Sequence, residues 1–157
     1  MKLTVIIPVY NEEDTILEII RRVRACGVPD LQLLVVNDAS CDATREKLAS
    51  LPAAPDLTLI HHEANRGKGA AIRTAQHHVT GDVMVIQDAD LEYSPEEFPR
   101  LFRLFAEKQA DAVFGSRYSG SEILVDTFWH FLGNKVLTTF SNLCSNLHLS
   151  DMESVTR

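Results

Sequence analysis

The feature that most constrains the fold of this chain is its regular alternation of short apolar runs with helix-forming segments. Apolar runs rich in β-branched residues predict buried strands at Leu3–Val9, 31–36, 57–60, Val83–Ile86 and 112–114. Between them lie stretches with apolar residues at helical spacing, the first at Ile16, Ile19, Ile20 and Val23. This alternation favours a Rossmann-like α/β fold, a mostly parallel sheet with helices on both faces.

Capping and helix-breaking residues refine these predictions. Asp42 is placed to cap a helix that starts at Ala43, and a further helix is predicted over 68–79. Ser94 followed by Pro95 is typical of a helix start, with Ser at the cap and Pro in the first turn.

Size and charge narrow the class of protein. At 157 residues the chain fits one domain with a substantial core. Its net charge of −7, with no basic run, argues against a nucleic-acid-binding surface. The three cysteines are odd in number and widely spaced, which favours reduced thiols in a cytosolic compartment.

The apolar runs are too short for a membrane span. Pro8 interrupts the first run, so no signal peptide is expected, and no window reaches about 18 apolar residues. We therefore expect a cytoplasmic protein whose membrane contact, if it has one, is peripheral and at the cytoplasmic face.

Two carboxylates one residue apart, Asp88 and Asp90, directly follow the fourth predicted strand. In an open parallel sheet, ligands bind at the carboxyl ends of the strands. Carboxylate oxygens there suit Mg²⁺ or Mn²⁺, with phosphate and water filling the other positions. Alone, the pair is equally consistent with a solvated turn that caps the next helix.

Two more polar clusters follow the first two strands. They comprise Tyr10, Asn11 and Glu12 after the first, and Asn37, Asp38 and Ser40 after the second. Parallel strands bring all three clusters to one edge of the sheet. An aromatic ring with neighbouring hydrogen-bond acceptors suits a nucleobase.

Cations are expected at the same edge. Lys68 lies in the glycine-containing segment 65–69 before a predicted helix, which suits phosphate binding. Arg117 follows the fifth predicted strand. Taken singly, the first is equally consistent with a helix entry and the second with a surface turn.

Other nucleotide-binding classes fit less well. No glycine-rich turn follows the first strand, and no G-x-x-x-x-G-K-[ST] motif occurs. A nucleotidyltransferase would be expected to have a basic, glycine-rich loop where this chain has Tyr10.

Five motifs in order carry a family resemblance. They are V-I-I-P-V-Y-N-E at 5–12, V-N-D-A-S-x-D-x-T at 36–44, N-R-G-K-G-A at 65–70, D-A-D at 88–90 and G-S-R at 115–117. Together they resemble the inverting family 2 glycosyltransferases with the GT-A fold, in particular the dolichyl- and polyprenyl-phosphate sugar synthases. The resemblance runs from residue 3 to residue 157.

The resemblance implies roles for individual residues. It implies that Asp88 and Asp90 hold Mg²⁺ or Mn²⁺ on the donor diphosphate. The implied catalytic residues are Asp90, Arg117 and Asp151, and the implied contacts to the nucleotide-sugar are Pro8, Tyr10, Asn11, Glu12, Asn37, Asp38, Lys68, Asp88 and Ala89. The family more often has Asp where this chain has Asn37.

The last thirty residues resemble the lipid-phosphate side of these synthases. An amphipathic helix with a stripe of Phe128, Phe131, Leu132, Val136, Leu137 and Phe140 precedes a motif containing Asp151. Arg117 and Lys135 are the expected cations for the acceptor phosphate. An ordinary core helix is the alternative. Family members continue beyond this point, so residues 1–157 are expected to be one nucleotide-sugar-binding domain that lacks its C-terminal part.

The resemblance implies transfer from a nucleotide diphosphate sugar to a polyprenyl or dolichyl phosphate, with inversion. A phosphate acceptor is already anionic and needs no strong base, whereas a sugar or protein hydroxyl would need one, for which Asp151 is the candidate. A nucleotide-sugar-binding module without turnover is a further alternative.

Overall fold

The computed structural model describes residues 1–108 and 128–145, in two compact units, Met1–Ala110 and Asp111–Arg157. The first unit contains strands β1 Leu3–Val9, β2 Leu31–Asn37, β3 Leu57–His61 and β4 Val83–Ile86. Its helices are α1 Ile16–Arg24, α2 Thr44–Ala49, α3 Lys68–Gln76 and α4 Phe98–Lys108, the last preceded by a 3₁₀ turn at Pro95–Glu97. The second unit contains α5, Phe128–Ser145.

The four strands form one parallel sheet in the order β3-β2-β1-β4. Val5 of β1 lies beside Leu33 of β2 and Val85 of β4. The predicted parallel α/β sheet is therefore confirmed for these strands. The predicted strand at 112–114 lies outside the described residues.

Alternate residues of the central strands point into two apolar layers. Val5 and Ile7 pack in a cluster with Ile16 and Ile20 of α1. On the opposite face, Ile6 clusters with residues of β2 and with the small residues Ala71 and Ala75 of α3. Helices therefore cover both faces of the sheet, as predicted.

Pro8 lies inside the central strand without disrupting it. The Leu3 amide and the Val9 carbonyl bond towards β2, whereas the Lys2 and Ile6 carbonyls bond towards β4. Pro8 therefore faces the β4 side, and the pairing of β1 with β4 ends at Ile6. The missing N–H of Pro8 falls where the ladder to β4 has ended, in accord with the preference of proline for such positions.

Three local predictions need correction. β4 is only half buried, because Met84 and Ile86 are 46% and 38% exposed. Helix α3 ends at Gln76 rather than at residue 79. Ser94 does not cap a helix through a backbone amide, because its hydroxyl instead donates to the Glu96 carboxylate at 2.6 Å.

Candidate functional site

The loops that follow β1 and β2 are joined by hydrogen bonds at the carboxyl edge of the sheet. The Asn11 backbone N–H donates to Ser40 Oγ, and Asn11 Oδ1 accepts from the Cys41 N–H, both at 2.9 Å. The Glu12 N–H donates to Thr44 Oγ1, also at 2.9 Å. The predicted convergence of the first two polar clusters is therefore observed, and the Asn11 side chain helps to form it.

Asp42 strengthens the same junction. Its Oδ1 accepts from the Thr44 N–H at 3.0 Å, and its Oδ2 accepts from the Glu13 N–H at 3.1 Å. Burial raises the pKa of Asp42, but these hydrogen bonds outweigh it and hold the pKa below its usual value. The predicted cap residue, Asp42, lies one residue before the observed N-cap, Ala43, and its carboxylate accepts from the N–H of Thr44, the first residue of α2.

Asp38 is the most heavily bonded carboxylate of the site, and its side chain is only 4% exposed. Its Oδ1 lies 2.6 Å from His62 Nδ1, and its Oδ2 accepts from the Gly67 N–H at 2.7 Å. The Arg66 N–H lies 3.0 and 3.1 Å from the two oxygens. Burial raises the pKa of Asp38, but the hydrogen bonds from His62 and the two amides bring it below its ordinary value.

His62 links Asp38 to α3. Its Nε2 lies 2.9 Å from Thr74 Oγ1, and its side chain is 6% exposed. The sequence alone assigned His62 no role. It missed this link because the contact joins the end of β3 to α3 and to the end of the neighbouring β2.

Asn37 is buried, with 2% of its surface exposed, and its side-chain amide is hydrogen-bonded within the protein. Its Oδ1 accepts from the Ser40 N–H at 3.0 Å, and its Nδ2 lies 3.3 Å from His61 Nδ1. Asn37 therefore shapes the loop after β2, and a direct contact to a ligand stays a prediction.

An ion pair connects the start of α3 to the end of β4. Lys68 Nζ lies 2.6 Å from Asp88 Oδ1, and the two side chains are 50% and 19% exposed. Asp90 is exposed, and its Oδ1 accepts from the Glu92 N–H at 3.1 Å. The third polar cluster thus lies at the same edge as the segment that contacts Asp38.

Gln87 organises the loop that carries the two carboxylates. It is 1% exposed, and its Nε2 donates to the carbonyl oxygens of Asp88 at 3.0 Å and Tyr93 at 3.2 Å. The sequence gave no indication of this role, since a Gln at the end of an apolar run looks like the first solvated residue.

Each of the three strand-end clusters contains a residue with left-handed backbone. Asn11 follows Tyr10 with φ 56°, Ala39 follows Asp38 with φ 59°, and Leu91 follows Asp90 with φ 64°. For residues such as Ala and Leu this conformation costs about 1–2 kcal/mol. Such strain concentrates at functional sites, where the surrounding contacts enforce it.

The pair Asp88 and Asp90 fits the requirements of a divalent cation. Both are acidic and lie at the carboxyl edge, and Asp88 is partly exposed and Asp90 exposed. Within residues 1–108 and 128–145, no three His, Cys, Asp or Glu side chains gather into a metal cage. Two carboxylates that leave positions for water and phosphate suit Mg²⁺ or Mn²⁺.

The remaining predicted residues are distributed as follows. Tyr10 is 47% exposed beside the junction, whereas Pro8 and Ala89 are buried. Lys135 is an exposed residue of α5, in the second unit. Arg117 and Asp151 lie outside the described residues.

Helix α5 has large apolar side chains exposed and a polar residue buried. Val136, Leu137, Phe140 and Leu143 are 61%, 49%, 66% and 83% exposed, whereas Thr138 is 6% exposed. Phe128, Phe131 and Leu132 of the predicted stripe belong to the helix, but their side chains lie outside those described. None of the helices in the described part of the chain is long and apolar enough to cross a membrane.

Comparison with protein families identifies the chain. The family model described as "Glycosyl transferase family 2" matches residues 4–153. The chain therefore belongs to this family, and the resemblance seen in its motifs is confirmed.

Curated relatives include two enzymes that are named for lipid phosphates. The undecaprenyl-phosphate 4-deoxy-4-formamido-L-arabinose transferase of Sodalis glossinidius is 40% identical over 111 residues, or 68% of this chain and 34% of the relative. The dolichol-phosphate mannosyltransferase of Pyrococcus furiosus is 34% identical over 119 residues, or 75% of this chain and 34% of the relative. The chain thus spans about a third of the length of these relatives.

Solved structures support the fold. The mannosyltransferase PcManGT from Pyrobaculum calidifontis, in complex with GDP-Man and Mn²⁺, matches with a TM-score of 0.58 and 34% identity over 68% of this chain and 33% of that one. TarS 1–349 of S. aureus, in complex with UDP-GlcNAc, matches with a TM-score of 0.65 and 23% identity over 76% of this chain and 39% of that one. The predicted GT-A fold is confirmed.

Proposed function

We propose that this chain binds a nucleotide diphosphate sugar at the carboxyl edge of its sheet and takes part in transferring the sugar, with inversion, to a polyprenyl or dolichyl phosphate. The observation that carries the proposal is the meeting of three strand-end clusters at one edge. Asp38 is bonded to the segment that leads into α3, and Lys68 at the start of α3 is bonded to Asp88.

The nucleoside end of the donor is proposed to lie against Tyr10. Its half-exposed ring offers a stacking face. Asn11 and Glu12, which follow it, and the buried Pro8 before it would form the adjoining wall. Asn37 and Asp38 are already hydrogen-bonded within the protein, so they would contribute mainly by holding the pocket in shape before the donor arrives.

The diphosphate is proposed to lie between the end of β4 and the start of α3. Backbone N–H groups at a helix N-terminus favour an anion, and Lys68 adds a cation. Asp88 and Asp90, with Ala89 between them, would hold Mg²⁺ or Mn²⁺. A metal held there would supply positive charge to offset the charge that develops on the departing diphosphate. Support comes from the fit of the two carboxylates and from the Mn²⁺ in the Pyrobaculum structure.

The acceptor is proposed to be a lipid phosphate. The relatives' names mention undecaprenyl and dolichol phosphates. A phosphate nucleophile is anionic, so Arg117 and Lys135 would bind and orient it without a base. The exposed apolar residues of α5 suit a lipid tail or the cytoplasmic face of a membrane.

A hydroxyl acceptor would change the role of Asp151. It would then serve as the base that accepts the hydroxyl proton, and its replacement by Asn would abolish transfer. With a lipid-phosphate acceptor, the Asp151→Asn variant would retain measurable transfer. A chain that binds donor but transfers nothing would be a binding module.

The metal part of the proposal is tested with the variant Asp88→Asn/Asp90→Asn. We expect the wild-type chain to gain thermal stability from GDP-mannose, UDP-GlcNAc or another nucleotide-sugar in a panel, and to gain more when Mn²⁺ is present. The double variant should still melt cooperatively but lose the gain that depends on Mn²⁺. An equal Mn²⁺-dependent gain in both proteins would contradict the assignment of these residues as metal ligands.

A further inference from the structure

We propose that Lys68 is an exchangeable counter-ion, which neutralises Asp88 in the donor-free protein and moves to the diphosphate when a divalent cation binds Asp88. The inference rests on the proposed function, because it concerns the same metal and diphosphate. It adds that the two ligands bind cooperatively and that one lysine side chain couples them.

The geometry makes Lys68 the mobile partner of the pair. Asp88 follows Gln87, whose buried amide bonds to the Asp88 carbonyl and fixes the loop. The backbone of Lys68 is also fixed, because it begins α3 directly after Gly67, whose N–H donates to Asp38. The Lys68 side chain is half exposed, so its ammonium group can leave Asp88 without any movement of the backbone.

Charge repulsion and attraction favour the exchange when both the metal and the diphosphate are bound. An ammonium group 2.6 Å from Asp88 Oδ1 and a divalent cation on the same carboxylate would repel each other. The ion pair is partly exposed and therefore weak, so a metal ion can displace Lys68 at modest cost. A bound diphosphate then offers the displaced ammonium group a new partner.

This arrangement predicts reciprocal coupling. A bound metal releases Lys68 for the diphosphate, and a bound diphosphate removes Lys68 from competition with the metal. By thermodynamic linkage, each ligand must raise the affinity for the other by the same factor. Replacing Lys68 should reduce that factor from both sides.

The first experiment measures the affinity of the full 157-residue chain for Mn²⁺, without nucleotide, by electron paramagnetic resonance. We expect Lys68→Met to bind Mn²⁺ about two- to fivefold more tightly than wild type, because the competing cation is gone. Lys68→Arg keeps the charge and should resemble wild type. Arg21→Met, on the last turn of α1, removes an equal charge from a 67% exposed side chain and should change nothing.

The second experiment measures the affinities for GDP and UDP by calorimetry, once in the presence of Mn²⁺ and once in the presence of EDTA. The gain in affinity that Mn²⁺ confers should be smaller in Lys68→Met than in wild type. Thermal melts establish that the variants are folded, and Lys68→Gln provides a second neutral replacement.

The outcomes separate the two proposals. If wild type gains affinity from Mn²⁺ and Lys68→Met gains equally, with unchanged binding of Mn²⁺ alone, the exchange is wrong and the metal site stands. If wild type binds Mn²⁺ but gains no nucleotide affinity from it, the exchange is wrong. If wild type neither binds Mn²⁺ alone nor gains affinity from it with either nucleotide, the metal site of the proposed function fails, and the exchange fails with it.

Discussion

At the scale of single residues, the link from Asp38 through His62 to Thr74 does most to fix the site. A buried carboxylate is costly unless its oxygens are hydrogen-bonded. Here His62 and the amides of Arg66 and Gly67 satisfy them. The same bonds position the segment that leads into α3, so the charge on Asp38 stabilises the site as well as the fold.

Acidification should weaken this link. The pKa of Asp38 is lowered from its ordinary value of 3.8, so its contribution to stability is full above that value and is lost as the pH falls through the folded-state pKa. We expect Asp38→Asn to lower the free energy of unfolding at pH 7 by about 1–3 kcal/mol, because the new amide N–H opposes a backbone N–H. Urea unfolding at several pH values measures this.

The control for this prediction is His62→Asn, which keeps a donor near the position of Nδ1. It should lose less stability than His62→Leu, which has no donor. The difference in stability between wild type and Asp38→Asn should shrink below about pH 4. A difference that stays constant down to about pH 2 would show that the charge on Asp38 is not what stabilises the link.

At this scale the sequence could propose candidate residues but not their contacts. Asp88 and Asp90 could be proposed as metal ligands because they directly follow an apolar run. The partner of Asp88 was not identifiable, since Lys68 comes from a segment twenty residues earlier. His62 was overlooked for the same reason, because its neighbours are set by the strand order.

At the scale of elements, side-chain hydrogen bonds fix the loops at the carboxyl edge. The loop after β4 depends on Gln87, which bonds the carbonyl oxygens at both of its ends. Since Leu91 in that loop has left-handed backbone, the loop needs such support to keep its shape.

Removing the Gln87 amide should therefore loosen the loop. We expect Gln87→Met, a replacement of similar shape, to cost about 1–3 kcal/mol of stability, because two carbonyl oxygens lose their donor. The Mn²⁺ affinity of the Asp88–Asp90 pair should also fall. Gln76→Met at the exposed end of α3 is the matched control and should change neither quantity. Unchanged Mn²⁺ affinity in Gln87→Met would contradict the organising role of Gln87.

The strands were largely predictable from the sequence, whereas the end of α3 and the solvent exposure of β4 were not. β1 and β4 have the predicted bounds, and β2 and β3 each extend one residue further. Apolar content does not reveal whether a strand is covered on both faces, so the exposure of Met84 and Ile86 was missed. Ser94 met the requirements of a cap, but its hydroxyl found a carboxylate instead.

At the scale of the whole molecule, two properties act in opposite directions on membrane contact. Helix α5 exposes Val136, Phe140 and Leu143, which would gain free energy by entering a lipid surface. The net charge of −7 repels anionic headgroups. The balance between these two terms can be measured without knowing the sugar or the nucleotide.

We therefore expect weak binding to vesicles, stronger on neutral phosphatidylcholine than on anionic phosphatidylglycerol. Added salt should raise binding to the anionic vesicles, because it screens the repulsion.

Phe140→Glu should abolish binding to both kinds of vesicle without lowering the melting temperature, since Phe140 is 66% exposed. Leu17→Glu adds the same charge at an apolar α1 residue that is 37% exposed, and it should retain binding to the neutral vesicles. Co-sedimentation measures all three proteins. If Phe140→Glu melts and binds as wild type does, α5 does not contact lipid, and a hydroxyl acceptor with Asp151 as base becomes the better proposal. If it melts at a lower temperature, Phe140 packs within the protein and is not a lipid contact.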